Sequence, residues 1–196
     1  MTKDSATLVR EVLEFWFRPL GHPERGTLRD IWFDTNREFD AEIKGRFLED
    51  ILDAGKGLLD GLSATAEGVL TLLILLDQFP RNVFRDEPRA YAFDPKARAV
   101  ATLAVRMGID KLLSPVERIF IYLPFEHSED LNDQIRSVAL YKTLPAVPWR
   151  DQAVDAAVRH HDVIVRFGRF PHRNAILGRV STAAELGFLR ENPRGF

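Results

Sequence analysis

The chain has 196 residues, 45% hydrophobic and 29% charged, the balance of a soluble globular protein and not of a disordered or fibrous one. A chain of this size buries roughly 70% of the surface that its unfolded form exposes. Its 27 basic and 29 acidic residues leave a net charge of −2, so no global positive field draws it to nucleic acid or an anionic membrane, and the absence of cysteine excludes disulfide frameworks, thiolate metal sites and cysteine nucleophiles.

Helical periodicity dominates and no run of alternating β-type residues competes with it, so an all-α single domain is expected over residues 1–196, with its core between about 5 and 190. The opening M-T-K-D-S-A-T-L lacks the apolar core of a signal peptide, and the longest apolar stretch, Val69 to Leu76, is broken by Thr71 and too short to cross a bilayer. A cytoplasmic location is expected. A first helix from about Ser5 to Phe17 carries Leu8, Val12, Phe15 and Trp16, and Pro19, Gly21 and Pro23 open a loop after it. In the second, about Asn36 to Ala54, the stripe Phe39, Ile43, Phe47, Ile51 recurs every four residues until Gly55 and Gly57.

Ser63 or Thr65 caps a third helix running to Gln78, where the Phe79-Pro80 step is expected to end it, because the residue before proline is pushed out of the α region. Asp94-Pro95 starts a fourth, to near Gly108. Ser114-Pro115-Val116-Glu117 combines a capping box with proline at the first helical position and opens a fifth, expected to stop before Pro124. Ser128 caps a sixth, to about Leu144, with Glu129 and Asp130 complementing its positive end; Trp149 to Phe167 forms a seventh, and the capping box Thr182 to Glu185 opens an eighth.

Polar residues break this pattern at three places. On the wheel of Trp149 to Phe167, Asp151, Gln152, Asp155, Arg159, Asp162 and Arg166 share the solvent arc, while His160 and His161 fall on the apolar side. Asp77 projects between Leu70 and Leu73 and sits in the last turn of its helix, where the macrodipole disfavours negative charge; it needs a cation, with Arg81, Arg85 and Arg173 as candidates. Glu126 and His127 lie side by side on an aromatic-rich turn, where an imidazole next to a carboxylate titrates near neutrality and moves protons.

Two turns repeat a theme: Phe79-Pro80-Arg81-Asn82, and Phe170-Pro171-His172-Arg173-Asn174 at the end of F-G-R-F-P-H-R-N. Arginine beside asparagine offers many donors in fixed geometry, and proline holds them at a defined point. Of the 27 basic residues, 21 are arginines and none after Lys142 is a lysine, which suits bidentate pairing with carboxylate or phosphate. His127, His161 and His172 are the histidines that a metal would need, but no H-E-x-x-H or other short ligand spacing supports one. Neither G-x-x-x-x-G-K, nor G-x-G-x-x-G, nor G-x-S-x-G occurs, so neither metal nor cofactor is expected.

The segments Leu75 to Asn82, Tyr122 to Asp130 and Arg166 to Asn174, with V-L-E-F-W-F at Val12 to Phe17 and S-T-A-A-E-L-G-F-L at Ser181 to Leu189, are similar to the signature blocks of the largely bacterial domain-of-unknown-function family 924. That resemblance implies an all-α fold similar to the tetratricopeptide superhelix, with paired antiparallel helices stacked in an array, and implies no activity. The 34-residue period and the W-x-x-L-G-x-x-Y pattern of true tetratricopeptide repeats are absent.

Three readings follow from the residues. In the first, a pocket binds a small anionic ligand or an acidic peptide terminus: Arg81 and Arg173 clamp it, Asn82, Asn174 and His161 add polar contacts, Asp77 orients an arginine, and Phe79, Phe125 and Phe170 wall the site. In the second, Glu126, His127 and His172 act as general acid and base on a ligand held by the arginines. In the third, the motifs only stitch helix ends together and partners bind elsewhere. All but the last require the three blocks to meet in space.

Overall fold

The computed structural model describes residues 4–192. Among these, eight principal helices and no strand are formed: α1 Ser5–Phe17, α2 Arg37–Lys56, α3 from Ala66 to Val83, α4 Asp94–Arg106, α5 Pro115–Glu126, α6 Leu131–Lys142, α7 Arg150–Phe167 and α8 Ala183–Glu191. Their starts follow local hydrogen-bond chemistry. Asp4 accepts from the Thr7 amide, Asn36 from Phe39 and Thr65 from Gly68, while Ser114 with Glu117 and Thr182 with Glu185 close complete capping boxes. Gly57, left-handed at φ 87°, terminates α2, whereas Gly55 lies inside the helix.

Two prolines expected to end helices do not. Helix α3 is α-helical over Ala66–Leu73, π-helical over Ile74–Gln78 and α-helical again over Phe79–Val83. Phe79 stays in the α region at φ −58° although Pro80 follows. A proline ring collides with the carbonyl four residues back in a regular α-helix; the wider π-turn just ahead relieves that collision, and burial of Leu75, Leu76 and Phe79 holds the axis on course. Pro124 is likewise carried inside α5, because buried Leu123 and Phe125 bind both its flanks to the core. Asp130, not Ser128, is the N-cap of α6; the Ser128 hydroxyl accepts from the Asp130 amide instead.

The core is an aromatic cluster joining α1, α2, α3 and α5. Trp16 packs on Trp32 and Phe39, Phe79 on Phe47 and Trp16, and Phe120 on Trp16, Phe17 and Trp32, with ring centroids 5.0–5.8 Å apart. A second, small cluster of Val163, Ile164 and Phe170, with Phe167 and Phe188, joins the end of α7 to α8. Successive helices α5, α6 and α7 pack on one another, an arrangement compatible with the helix-pair stacking that the resemblance implies. No helix among the described residues is long and apolar enough to cross a membrane.

Close approach at the start of α3 depends on Gly68, where a Cβ would collide with the carbonyl oxygen of Leu62. Gly68→Ala is expected to destabilise the protein by about 2 kcal/mol or more. Gly45→Ala, on the exposed side of α2 with open space around it, is expected to be neutral or stabilising by up to about 1 kcal/mol. Urea denaturation of the two variants checks the pair.

Candidate functional site

The two arginine-asparagine turns and the α5–α6 turn open on one cleft. An inner chamber of about 470 Å3 is walled by Leu28, Trp32, Phe33, Ile119, Leu123 and Ala156, with Glu126, Tyr141 and Asn82 also on its surface. An outer chamber of about 1160 Å3 is lined by Arg37, Tyr91, His172 and Arg173 among others. Arg81, Arg85, His127 and His160 line both, so the chambers adjoin.

Asp77 is the anchor behind this wall. Its side chain leaves the π-helical turn of α3 wholly inside the protein, only 1% exposed. His127 Nδ1 lies 2.8 and 3.0 Å from its two oxygens, Gln78 Nε2 donates to it, and Arg81 stands 3.3 Å away. Burial by itself raises the Asp77 pKa, but the Arg81 charge, then the His127 charge and the hydrogen bonds from His127 and Gln78, outweigh it and hold the carboxyl at about 2. Asp77 is therefore ionised and can only accept, which places the His127 proton on Nδ1 and leaves Nε2 as an acceptor. Burial, then the Arg81 charge, push His127 down to about 4 in spite of Asp77, so the ring is neutral at pH 7.

Arg81 is fully engaged. It donates to the Asp77 backbone carbonyl at 2.6 Å and, through both terminal nitrogens at 3.0 Å, to the two oxygens of Asp94 at the start of α4. Arg85 is held in the same way by Asp40 of α2, at 2.8 and 2.9 Å, and Asn82 donates to that same carboxylate at 2.8 Å. Arg81 at the end of α3 and Arg85 in the turn after it thus both have bidentate partners.

Arg173 is different. It is 6% exposed, its guanidinium lies 4.7 Å from the Tyr91 ring and 4.5 Å from Phe170, and its nearest carboxylate oxygen, Asp94 Oδ2 at 3.8 Å, is already taken by Arg81. Among the described residues no acceptor receives a hydrogen bond from this guanidinium, and its Nε is completely enclosed. Burial, then the Arg81 charge, push its pKa down to about 10. The shared Asp94 oxygen sets Arg81 and Arg173 side by side, well inside the ~10–15 Å reach of one ligand pocket.

The turn carrying Arg173 is fastened by Glu129. Its carboxylate accepts from the Phe170 amide at 2.8 Å and from Arg179 at 2.7 and 3.0 Å, while Arg169 pairs with buried Glu185 of α8. Glu129 therefore reaches across to the second turn rather than complementing its own helix. Within the α5–α6 turn, the buried Gln134 amide donates to the carbonyls of Glu126 and Ser128 at 2.7 and 2.6 Å, which fixes His127 at the end of α5.

On the wall of the inner chamber, Glu126 is 4% exposed, with Oε1 3.1 Å from His160 Nδ1 and Oε2 lacking a partner among the described residues. Burial raises its pKa, only partly offset by His160, and burial together with Glu126 raises Tyr141 well above the usual phenol range. His160 Nδ1 also stands 2.9 Å from the Ala156 carbonyl, which fixes a proton on that nitrogen.

Of the residues expected at a site, the structure brings Arg81, Asn82, Glu126, His127, His172 and Arg173 to the cleft, with Asp77 directly behind. Others lie apart from it. His161 turns out beside Asp162, with its side chain 28% exposed, and it is His160 that faces the cleft. Asn174 is buried and donates to Ser181; Phe79 belongs to the aromatic core; Phe125 lies under Arg136; Phe170 supports His160, His172 and Arg173 from behind. Asp94, Asp40, Tyr91 and Glu129 were not expected at the site. Asp94 and Glu129 signal themselves in the sequence only as helix-start residues, and Asp40 and Tyr91 carry no local mark. Among the described residues no three histidine, aspartate or glutamate side chains are placed to hold a metal ion.

The chain matches, over residues 12–193, the model of a family described as bacterial protein of unknown function, DUF924. It belongs to that family. It is also similar to the solved structure of a protein of unknown function, ATU0120 from Agrobacterium tumefaciens, at 40% identity and a TM-score of 0.85, covering 96% of this chain and 99% of the other. No curated protein matches. Neither description names an activity, so for this family member the cleft itself must carry the functional argument.

His172 is pushed down to about 3 by burial, then by the Arg173 charge and by His160 and His127. With His127 at about 4, two histidines are held neutral in the fold and charge on unfolding. Both folded values lie below the ordinary 6.5, so this stability is fully present above pH 6.5 and is lost as pH falls toward 4 and 3. Between pH 6.5 and 5 the unfolding free energy should fall with a slope approaching about 2–3 kcal/mol per pH unit for two protons. Denaturant titrations should show that slope roughly halved in His127→Gln or His172→Gln.

Proposed function

We propose that the protein binds a small anion at Arg173, with the positive charge of Arg81 beside it. The observation that carries this is the guanidinium of Arg173, buried and stacked between two rings yet given no hydrogen-bond acceptor by the described residues. A buried guanidinium whose donors lack an acceptor, with one shared carboxylate oxygen 3.8 Å away, is costly, by about 1–3 kcal/mol or more. A fold that also places this charge beside a second arginine and opens it onto a cleft supports an occupant carrying the missing negative charge. A carboxylate or phosphate supplies two acceptor oxygens in the plane of the fork.

A second reading adds proton transfer on the bound anion. Its support is the Asp77–His127 contact, which orients a neutral imidazole with Nε2 unprotonated, the arrangement of a general base. Asp77 here is a positioning group, since it is fully enclosed behind the ring.

Thermal unfolding tests the proposal. In the wild type, acetate or phosphate at 100 times its Kd should stabilise the fold by about 2.7 kcal/mol. Arg173→Met should lose that response while the anion-free protein keeps or gains stability, because a buried guanidinium with unsatisfied donors is gone. A melting temperature that falls in Arg173→Met, with no anion response in the wild type, would assign Arg173 to the scaffold alone. His127→Gln, which retains a polar edge, should keep most of the anion response under either reading and abolish turnover only under the second.

A further inference from the structure

We infer that the cleft takes an elongated monoanion with an apolar body, its head on Arg173 in the outer chamber and its body in the inner one. This rests on the anion-binding reading and deepens it to a ligand class.

The charge distribution limits the head to a single negative group. Arg81 and Arg85 are already chelated by Asp94 and Asp40, so Arg173 is the buried cation of the cleft still needing an acceptor. Arg37 and Arg159 also line the walls, but both are exposed and hydrated. Asp34 and Asp86, exposed on the rim of the outer chamber, oppose any second anionic group with like charge. His127 at the junction is neutral at pH 7 and presents an acceptor, which repels a second carboxylate further. Polyphosphates and dicarboxylates therefore fit poorly.

The inner chamber specifies the rest of the molecule. At about 470 Å3 it has the size of a small organic ligand site. Leu28, Trp32, Ile119, Leu123, Ala153 and Ala156 give it an apolar wall. Glu126 is the buried carboxyl in that wall; burial raises its pKa, and its Oε1 is taken up by His160 at 3.1 Å. Water held against such walls is displaced favourably by methylene or ring carbons, at roughly 25 cal/mol per Å2 of apolar surface covered. Phe33, Arg81, His127 and His160 border both chambers, which therefore adjoin, as a single ligand occupying the two requires.

Calorimetric titration with acetate, octanoate and octanedioate tests this on the intact wild-type protein. Octanoate should bind at least ~10-fold more tightly than acetate, and octanedioate at least ~10-fold more weakly than octanoate, since its second carboxylate must enter an apolar chamber. Ala153→Phe, a substitution at a partly exposed position on the chamber wall, should bring octanoate down to the acetate affinity, and Arg173→Met should remove both. Equal affinities for acetate and octanoate would overturn the bipartite ligand while leaving anion binding in place, and octanedioate equal to octanoate would overturn the single-charge head. Failure of all three to bind would remove both the ligand class and the reading beneath it. The comparison of the three wild-type affinities decides these outcomes whether or not Ala153→Phe folds.

Discussion

An ionised carboxylate enclosed by protein must be neutralised where it lies, and the placement of Asp77 organises this structure around that requirement. The carboxylate is reached from α3 by Arg81 one turn on and from the end of α5 by His127, and Arg81 in turn chelates Asp94 at the start of α4. Three helices are thereby tied to one charge. The π-turn over Ile74–Gln78 belongs to the same arrangement, because it carries Asp77 into the interior while passing the helix through Pro80. Buried ion pairs add little net stability once desolvation is counted, so what Asp77 contributes is position: it orders Arg81 and sets the tautomer of His127.

A second acidic group does comparable work from the other side. Glu129 gathers the Phe170 amide and Arg179, and so presses the turn bearing His172 and Arg173 against the α5–α6 turn. Together the two carboxylates bring segments ninety residues apart to one cleft. The groups they deliver are held in costly states: two histidines kept neutral by burial and an arginine whose charge is disfavoured. Local rules are broken here in a cluster, while the rest of the fold obeys them, which is the pattern of a site maintained for something other than stability.

The helices were legible wherever a short-range interaction decides. Asn36, Thr65, Ser114 with Glu117 and Thr182 with Glu185 announce helix starts because caps are made within three residues. Proline was misleading at Pro80 and Pro124, where burial of flanking apolar side chains outweighs a local penalty that sequence reading treats as final. That Asp77 would be buried and need a cation was legible from its place on the helix wheel; that Asp94 and His127 would share in the answer was not, since both pairings depend on how distant helices dock. Between His160 and His161, adjacent on the apolar arc, only the rotation of α7 against α5 and α6 decides which one faces the cleft. Glu129 reads from the sequence as an ordinary helix-start acid, and its role as partner to Arg179, like that of Asp40 as partner to Arg85, is purely tertiary.

The unsatisfied donors of Arg173 are the claim on which the functional account turns, and a crystal soaked in bromide addresses it most directly. The account predicts an anomalous peak within about 3–4 Å of the Arg173 terminal nitrogens, with the guanidinium still stacked between Tyr91 and Phe170. An empty cleft in which Arg173 has swung away to pair with a surface carboxylate would contradict it.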